Sequence, residues 1–189
     1  LHPEKMYHGK VFSPEQKVIT VSLLRAGQLP SEVCFKTLNL LVNPKRVRQD
    51  HVFISRTADK DHHVTGSQIS GAKIGGDKDQ SLVMFPDPMG ATGSTIKTIV
   101  DHYQSKVAGT VTKYLAMHLI VTPEYIKQAL AVDPNLDIYA FRVDRGLSSD
   151  KVLNSIPGTF WNEERGLNDK QYIVPGGGGF GEIMNNSFV

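Results

Sequence analysis

The feature that most restricts the fold is the alternation of short β-branched runs with amphipathic helical segments. VITVSLL at residues 18–24 has the continuous apolar pattern of a strand buried on both faces, and SEVCFKTLNLLV after Pro30 has helical spacing, with Ser31 as a candidate N-cap. Further strand-like runs lie at 51–55, 81–85, 113–121 and 136–143, and further helical patterns lie at 94–109 and 123–132. Short βα repeats predict an α/β fold, a mainly parallel twisted sheet flanked by helices with ligands at the carboxyl ends of its strands.

Length, charge and cysteine content restrict the domain count and the partners. A chain of 189 residues with 40% apolar and 21% charged residues predicts one domain spanning residues 1–189. A net charge of +2, with PKRVRQ as the one basic cluster, predicts no nucleic-acid partner. The single Cys34 cannot form an intramolecular disulfide, no apolar run reaches membrane-spanning length, and the opening residues lack the apolar core of a secretory signal. We therefore expect no membrane association and a cytoplasmic location.

Residues 56–80 separate two strand-like runs without sustained periodicity. They are rich in Gly, Asp, Lys and His, which predicts a long mobile loop or a hairpin with a functional role. His62 and His63 have no cysteine or acidic partners at metal-ligand spacing, so no metal site is predicted in the protein itself. His118, in an otherwise apolar run, is expected to be a packed core residue.

The stretch FPDPMGATGSTI at residues 85–96 joins a strand-like run to a helical one. The amides of residues 91–95 would lie at the positive end of the helix dipole, where an anion is stabilised, and Gly90 and Gly93 would permit close approach to the backbone. The turn lacks the GxxxxGK[ST] pattern of a nucleotide-hydrolysing loop. These features predict a site for a single phosphate group.

Asp87 precedes this turn, and its charge would repel a phosphate. It is better suited to accept hydrogen bonds from hydroxyl groups farther along the same ligand, or to hold Mg²⁺. The pattern therefore favours a sugar phosphate. The alternative is an ordinary βα turn in which Asp87 and the hydroxyl side chains cap the helix.

At these residues the sequence resembles the uracil phosphoribosyltransferases. Their signature for the donor phosphoribosyl pyrophosphate is similar to DPMGATGST, with Leu in place of Gly90 and a second Gly in place of Ser94. LLRAG at 23–27 resembles their pyrophosphate loop, YIVPG at 172–176 resembles their uracil loop, and ISRTADK begins where they carry an arginine on a mobile loop. The likeness runs from about residue 18 to about residue 181.

The resemblance implies a type I phosphoribosyltransferase fold, with residues 56–80 as a mobile loop or hairpin and residues 164–189 as a small C-terminal hood over the base. The implied enzyme is a pentosyltransferase of pyrimidine salvage that forms UMP and pyrophosphate from uracil and phosphoribosyl pyrophosphate, with Mg²⁺ bound alongside the donor. The implied catalytic residues are Arg25, Asp87 and Arg56. Donor binding is implied for Arg25, Ala26, Gly27, Arg56, Asp87, Met89, Ala91, Thr92, Gly93, Ser94 and Thr95.

Uracil would be recognised largely by backbone groups, since a glycine-rich loop can offer N–H and C=O groups at close range. Tyr172 either packs on the base or fills the core. The residues implied in uracil binding are Tyr172, Ile173, Val174, Gly178, Gly179 and Phe180. The resemblance also implies a homodimer or a higher homo-oligomer.

The sequence departs from the family in its last glycine-rich segment, PGGGGFGEI. Gly179 and Glu182 each replace an aspartate, and Ile183 replaces a basic residue. Residues 146–163 are an apparent insertion whose Phe160 and Trp161 would suit a lid or a subunit contact. These departures favour an alternative function, a catalytically impaired homologue that binds a sugar phosphate, a nucleotide or a protein partner in a regulatory role.

Overall fold

The computed structural model describes residues 13–58 and 64–187, with the side chains of 56, 58, 64 and 65 also outside the description. The strands are β1 Lys17–Leu24, β2 Val47–Ala58, β3 Val64–Lys73, β4 Ser81–Pro86, β5 Met89–Gly90, β6 Val111–Val121 and β7 Leu136–Val143. The helices are α1 Gln28–Leu41, α2 Ser94–Lys106, α3 Pro123–Leu130, α4 Asp150–Leu153 and α5 Phe180–Asn185, with a short 3-10 turn at Pro44–Arg46.

The strands form one sheet in the order β3-β2-β1-β4-β6-β5, and β7 pairs with the other edge of β6. All of these pairs are parallel except β2 with β3. The expected α/β class, a mainly parallel sheet flanked by helices, is confirmed. Parallel pairing aligns the carboxyl ends of β1, β4, β6 and β7 along one edge of the sheet, which is where a ligand site is expected.

The core lies between the sheet and α2 with α3. Phe85 of β4 is fully buried and stacks on Tyr114 of β6 and edge-on against Tyr103 of α2, with ring centroids 5.9 Å apart in each pair. Alternate residues of β1 reach the same core, so the β-branched run that predicted this strand also supplies its packing. The core fixes the start of α2 relative to the end of β4.

Helix α1 begins earlier than the sequence pattern predicts. It starts at Gln28 with Gly27 as its N-cap, and Ser31 is a buried residue inside the helix rather than the cap. Pro30 does not interrupt the helix because it falls in the first turn, where backbone N–H groups have no intrahelical partner. The expectation that Ser31 caps this helix is therefore wrong.

Residues 56–80 contribute to an antiparallel hairpin, since β2 pairs with β3 from His51↔Lys73 to Ala58↔Val64. Of the two expected arrangements, a loop or a hairpin, residues 56–58 and 64–73 form the hairpin. Residues 59–63, which include His62 and His63, lie outside the described residues, as does the side chain of Arg56. The backbone of Arg56 lies in β2 and pairs with Ser67 of β3.

Within residues 13–58 and 64–187, none of the helices combines the length and the apolar character that a membrane span requires.

Candidate functional site

Three segments meet at the carboxyl edge of the sheet. We call residues 87–95, between β4 and α2, the phosphate turn; residues 25–27, after β1, the arginine loop; and residues 176–187 the C-terminal segment.

The backbone of the phosphate turn is held by the end of β6. Asp87 N–H donates to Met117 O at 3.0 Å, and Pro88 O accepts from the N–H groups of Leu119 and Ile120 at 2.9 and 3.1 Å. Farther along, Thr122 N–H donates to Gly90 O at 3.1 Å. Because these bonds use groups on a core strand, the path of the turn is set by the sheet.

The turn enters α2 through Gly93, the N-cap, whose φ of 84° lies in the left-handed region. A Cβ at this position would lie 2.7 Å from Gln128 Cβ of α3, so both conformation and space require glycine. The Thr92 and Ser94 hydroxyls are hydrogen bonded to each other at 3.0 Å. The residues proposed to hold a phosphate therefore sit at the amino end of a core helix.

The β2–β3 hairpin touches the same helix start. Ser67 Oγ lies 2.9 Å from Ser94 Oγ and 3.3 Å from Thr95 Oγ1, and Thr98 Oγ1 donates to Ser67 O. Two of the hydroxyl groups predicted to bind phosphate are thus hydrogen bonded to the hairpin in this structure. The contact shows that the hairpin reaches the phosphate turn.

Asp87 follows the last residue of β4 and is half-buried. The N-cap of α2 is Gly93, and Thr92 Oγ1 accepts from the Ser94 N–H at 3.2 Å, so a hydroxyl group of the turn does contact the first amide of the helix. Burial and, to a smaller extent, the charge of Asp87 raise the pKa of Tyr125 well above its ordinary value. The carboxylate is therefore close enough to Tyr125 for the two groups to interact electrostatically.

The arginine loop closes tightly at Gly27. A Cβ there would lie 2.7 Å from Leu23 O and 3.0 Å from Pro86 O, so the loop packs backbone to backbone against the end of β4. The peptide bond between Leu24 and Arg25 is cis. This packing brings the loop beside the phosphate turn, as a shared ligand site requires.

Arg25 is engaged by the C-terminal segment. Its Nη1 donates to Ser187 Oγ at 2.8 Å, and its Nη2 forms an ion pair with Glu182 Oε1 at 3.1 Å. Both side chains of the pair are more than a third exposed. The guanidinium predicted to bind pyrophosphate therefore faces an acidic side chain that is one of the departures from the family pattern.

The proposed uracil loop is hydrogen bonded to other parts of the chain. Val174 N–H donates to Gly166 O at 2.8 Å and Val174 O accepts from Gly146 N–H at 2.9 Å, so both its backbone groups are used within the protein. Tyr172 is 61% exposed, which excludes the core-filler alternative for its ring. Ile173 bridges to Leu167. Within the described residues, no hydrogen bond is found from the backbone N–H groups at 177–179.

Contacts link the C-terminal segment to the arginine loop and to β6, the strand that holds the phosphate turn. A Cβ on Gly181 would lie 3.4 Å from Ala26 N, and one on Gly177 would lie 3.2 Å from Ile120 Cδ1. Gly176 N–H donates to Asp144 Oδ2 at 2.8 Å. The structure places Gly27 against the end of β4, where the phosphate turn begins, and Gly181 against Ala26, while the shared ligand site predicted for residues 25–27, 87–95 and 172–180 stays a prediction.

The apparent insertion at 146–163 is anchored by a buried ion pair. Arg145 Nη1 lies 3.1 Å from Glu164 Oε1, and the side chains are 7% and 0% exposed. Lys127 of α3 lies over the Trp161 ring at 5.1 Å, and Lys151 over the Phe160 ring at 4.1 Å. Both aromatic rings are partly buried and have contacts inside the chain, and the lid or subunit contact expected for them stays a prediction.

Several residues that build the site were not found from the sequence. His118 was expected to be a core residue, and its 7% exposure confirms this, but its contacts with Asp87 and Tyr125 were not predicted. The contacts of Glu182 and Ser187 with Arg25 were missed as well. The sequence did contain one signal for the His118 contacts. A histidine within the apolar run YLAMHLIV needs a polar partner when it is buried.

The protein is thus an α/β domain in which a glycine-containing turn leads into a core helix at the carboxyl edge of the sheet. The family model described as "UPRTase: Uracil phosphoribosyltransferase" matches residues 2–160. The chain therefore belongs to the uracil phosphoribosyltransferase family.

Individual relatives are distant. A uracil phosphoribosyltransferase from Thermococcus kodakarensis is 27% identical over 180 residues, 95% of this chain and 65% of that protein. One from Thermococcus sibiricus is 32% identical over 79 residues, 42% of this chain and 32% of that protein. The chain thus spans about a third to two thirds of the length of these relatives. The structure of AQ2163 protein from Aquifex aeolicus has a TM-score of 0.63 at 24% identity, covering 89% of this chain and 64% of that one, a likeness of fold.

Proposed function

We propose that the protein is a uracil phosphoribosyltransferase. Uracil N1 would attack ribose C1 of phosphoribosyl pyrophosphate, the bond from C1 to the pyrophosphate oxygen would break, and N1 would release its proton, giving UMP and pyrophosphate. The observation that carries the proposal is the meeting of Asp87, the phosphate turn and Arg25 at one edge of the sheet. Family membership supports the same reaction.

Each group has a role that suits its position. The amides of residues 91–95 would hold the 5-phosphate at the start of α2, and Met89 and Asp87 would lie along the ribose. The Arg25 guanidinium, with Ala26 and Gly27, would bind the pyrophosphate, on which negative charge accumulates as it leaves. Arg56 is proposed to add a second cation from the hairpin, as the family resemblance implies.

Uracil is proposed to bind against the C-terminal segment. Its two carbonyl oxygens need donors, and the N–H groups of Gly178 and Gly179 carry no internal hydrogen bond in the described structure. Ile173, Val174 and Phe180 would then shape the pocket, while the exposed Tyr172 is free to pack on the base. Cytosine would leave polar groups unpaired, so we expect it to be rejected.

Mg²⁺ belongs to this proposal as a companion of the donor. Within residues 13–58 and 64–187, no group of three or more His, Cys, Asp or Glu side chains is placed to hold a metal ion. An ion carried by the pyrophosphate itself, with Asp87 nearby, fits these residues. When bound, it would neutralise part of the charge on the leaving group. A homodimer or higher oligomer and a cytoplasmic location are also proposed.

The decisive experiment is a pyrophosphate-release assay with phosphoribosyl pyrophosphate, Mg²⁺ and a panel of free bases. We expect release with uracil and little with cytosine, adenine or hypoxanthine. Release of pyrophosphate with a purine, and not with uracil, would support a phosphoribosyltransferase reaction but would show that uracil is not the substrate. Absence of release with every base, together with donor binding by calorimetry, would favour the second candidate.

That second candidate is a catalytically impaired homologue that binds a sugar phosphate, a nucleotide or a protein partner in a regulatory role. It is favoured by the ion pair between Arg25 and Glu182, which occupies the guanidinium with a residue of the chain. Gly179 also lacks the side chain that the family pattern places there. A titration with phosphoribosyl pyrophosphate, UMP and ribose 5-phosphate in the absence of a base would identify the ligand of such a homologue.

A further inference from the structure

A buried histidine and tyrosine lie directly beneath the phosphate turn. His118, on β6, is 7% exposed and Tyr125, on α3, is 2% exposed. His118 Nδ1 lies 2.6 Å from the backbone oxygen of Asp87, and His118 Nε2 lies 2.6 Å from the Tyr125 hydroxyl. Both ring nitrogens therefore have partners, and one partner belongs to the proposed ribose-binding residue.

The geometry fixes the direction of both hydrogen bonds. A carbonyl oxygen can only accept, so Nδ1 carries the proton and donates to Asp87. Nε2 of the neutral ring must then accept from the Tyr125 hydroxyl. Burial lowers the pKa of His118 to about 4, so the ring is neutral near pH 7. The two bonds form one chain from Tyr125 through His118 to the main chain of Asp87.

Tyr125 also packs against the turn at Gly90, beyond the contact at Asp87. A Cβ on Gly90 would lie 2.7 Å from Tyr125 Cδ2, so the ring packs directly against the Gly90 backbone. Tyr125 N–H donates to Thr122 Oγ1 at 2.9 Å, and that hydroxyl donates to Ala91 O at 2.6 Å. The junction of β6 and α3 thus contacts the turn at Asp87, Gly90 and Ala91.

We propose that His118 and Tyr125 are positioning residues for donor binding, which hold Asp87 and Gly90 in the geometry that receives the ribose and its 5-phosphate. The proposal rests on the proposed function, since the turn must bind the donor for its geometry to matter. Neither residue touches the ligand. They act through the main chain, and small displacements of a binding group can cost large factors in rate.

The test compares Tyr125→Phe and His118→Leu with the matched control Tyr114→Phe. Tyr114, on β6, is also a buried tyrosine, its hydroxyl has no hydrogen-bond partner among the described residues, and no role in the site is proposed for it. We expect Tyr125→Phe and His118→Leu to raise the donor KM about ten-fold, since each releases a bond that orients the turn. The KM for uracil and the parameters of Tyr114→Phe should stay at wild-type values.

A conservative variant separates positioning from general stability. His118→Asn keeps an N–H donor for the Asp87 carbonyl and should recover most of the donor affinity that His118→Leu loses. If His118→Leu does not fold, Tyr125→Phe carries the test, because it removes a single oxygen atom. Donor KM values equal to that of Tyr114→Phe in both variants would overturn the proposal.

Failure of the proposed function can be told apart from failure of this inference. If the wild-type protein does not bind phosphoribosyl pyrophosphate with Mg²⁺ in calorimetry, the function is wrong. Amide hydrogen exchange at residues 87–93 then decides the positioning role without a ligand. Faster exchange there in Tyr125→Phe than in Tyr114→Phe would support it, and equal exchange would refute it.

Discussion

The phosphate turn and the C-terminal segment border the same proposed site, but they are held in place by different kinds of contact. The turn is fixed by main-chain hydrogen bonds to β6 and by the buried pair His118 and Tyr125. The C-terminal segment is tied at its first residue by Gly176 N–H to Asp144 Oδ2, but its α5 end lies over the arginine loop through the ion pair of Arg25 with Glu182, in which both side chains are more than a third exposed. Buried polar contacts are costly to break, whereas exposed ion pairs contribute little.

This difference suggests a division of tasks between the two regions. In the proposed function, a ligand phosphate would need a preformed geometry, which the turn would supply because its atoms are tied to the core. A base and a pyrophosphate would have to enter and leave, and the α5 end of the C-terminal segment, held by exposed contacts, could yield to them.

Asp87→Asn removes the charge that is proposed to bind the ribose hydroxyls and keeps the size of the side chain. We expect kcat/KM in the pyrophosphate-release assay to fall by about 100-fold, since a hydrogen bond to a charged group is worth about 1.5–3 kcal/mol. The thermal unfolding midpoint should change little because Asp87 is only half-buried. Wild-type turnover in this variant would refute the ribose role.

The stability of the turn region should depend on pH through His118. Its pKa in the folded protein is about 4, against an ordinary value of 6.5, so the unfolded chain takes up the proton first as pH falls. This contribution is complete above pH 6.5, is lost between about pH 6.5 and pH 4, and amounts to about 3 kcal/mol. Urea unfolding of wild type and His118→Asn across that range measures it. Parallel stability curves would show that His118 does not titrate in this way.

Gly90→Ala tests the packing of the turn against Tyr125. The new Cβ would lie 2.7 Å from the ring, so we expect a loss of about 1–3 kcal/mol in the free energy of unfolding and weaker donor binding. Gly158→Ala is the control, because a Cβ there meets nothing within 4 Å, although its φ of 93° adds backbone strain. If Gly90→Ala is no less stable than this control, the close contact with Tyr125 is not a constraint.

Glu182→Gln should have the smallest effect. It releases Arg25 from an exposed ion pair worth about 0.2–1 kcal/mol, so we expect pyrophosphate to bind about two- to five-fold more tightly. Glu32→Gln is the matched control, since it breaks the exposed ion pair with Lys36 on α1. Calorimetric titration with pyrophosphate and Mg²⁺ measures both variants. Equal affinities would show that Glu182 does not compete with the ligand.

Most of the central strands and helices were readable from the sequence because they depend on local periodicity, whereas β3 was expected only as part of a loop or hairpin, and β5, α4 and α5 were not predicted. The runs at 18–24, 81–85 and 113–121 became β1, β4 and β6 with shifts of only a few residues at their ends. The phosphate turn was also predicted, since its glycines and hydroxyls occur together in one short stretch. The start of α1 was missed because Pro30 was taken as its boundary, although the first turn of a helix accepts proline.

The partners within the site were decided by the tertiary structure. Arg25 and Glu182 lie 157 positions apart in the chain, and no pattern within either segment predicts that they meet. Likewise, the family pattern has leucine where this chain has Gly90. The reason for the glycine is visible only in the structure, where the ring of Tyr125 occupies the space that a side chain at this position would need. The sequence by itself determined most of the central strands and helices and the glycine-rich turn proposed to bind a phosphate, because these depend on neighbouring residues. Only packing decided what holds that turn in place, because buried polar groups must find partners wherever the fold brings them together.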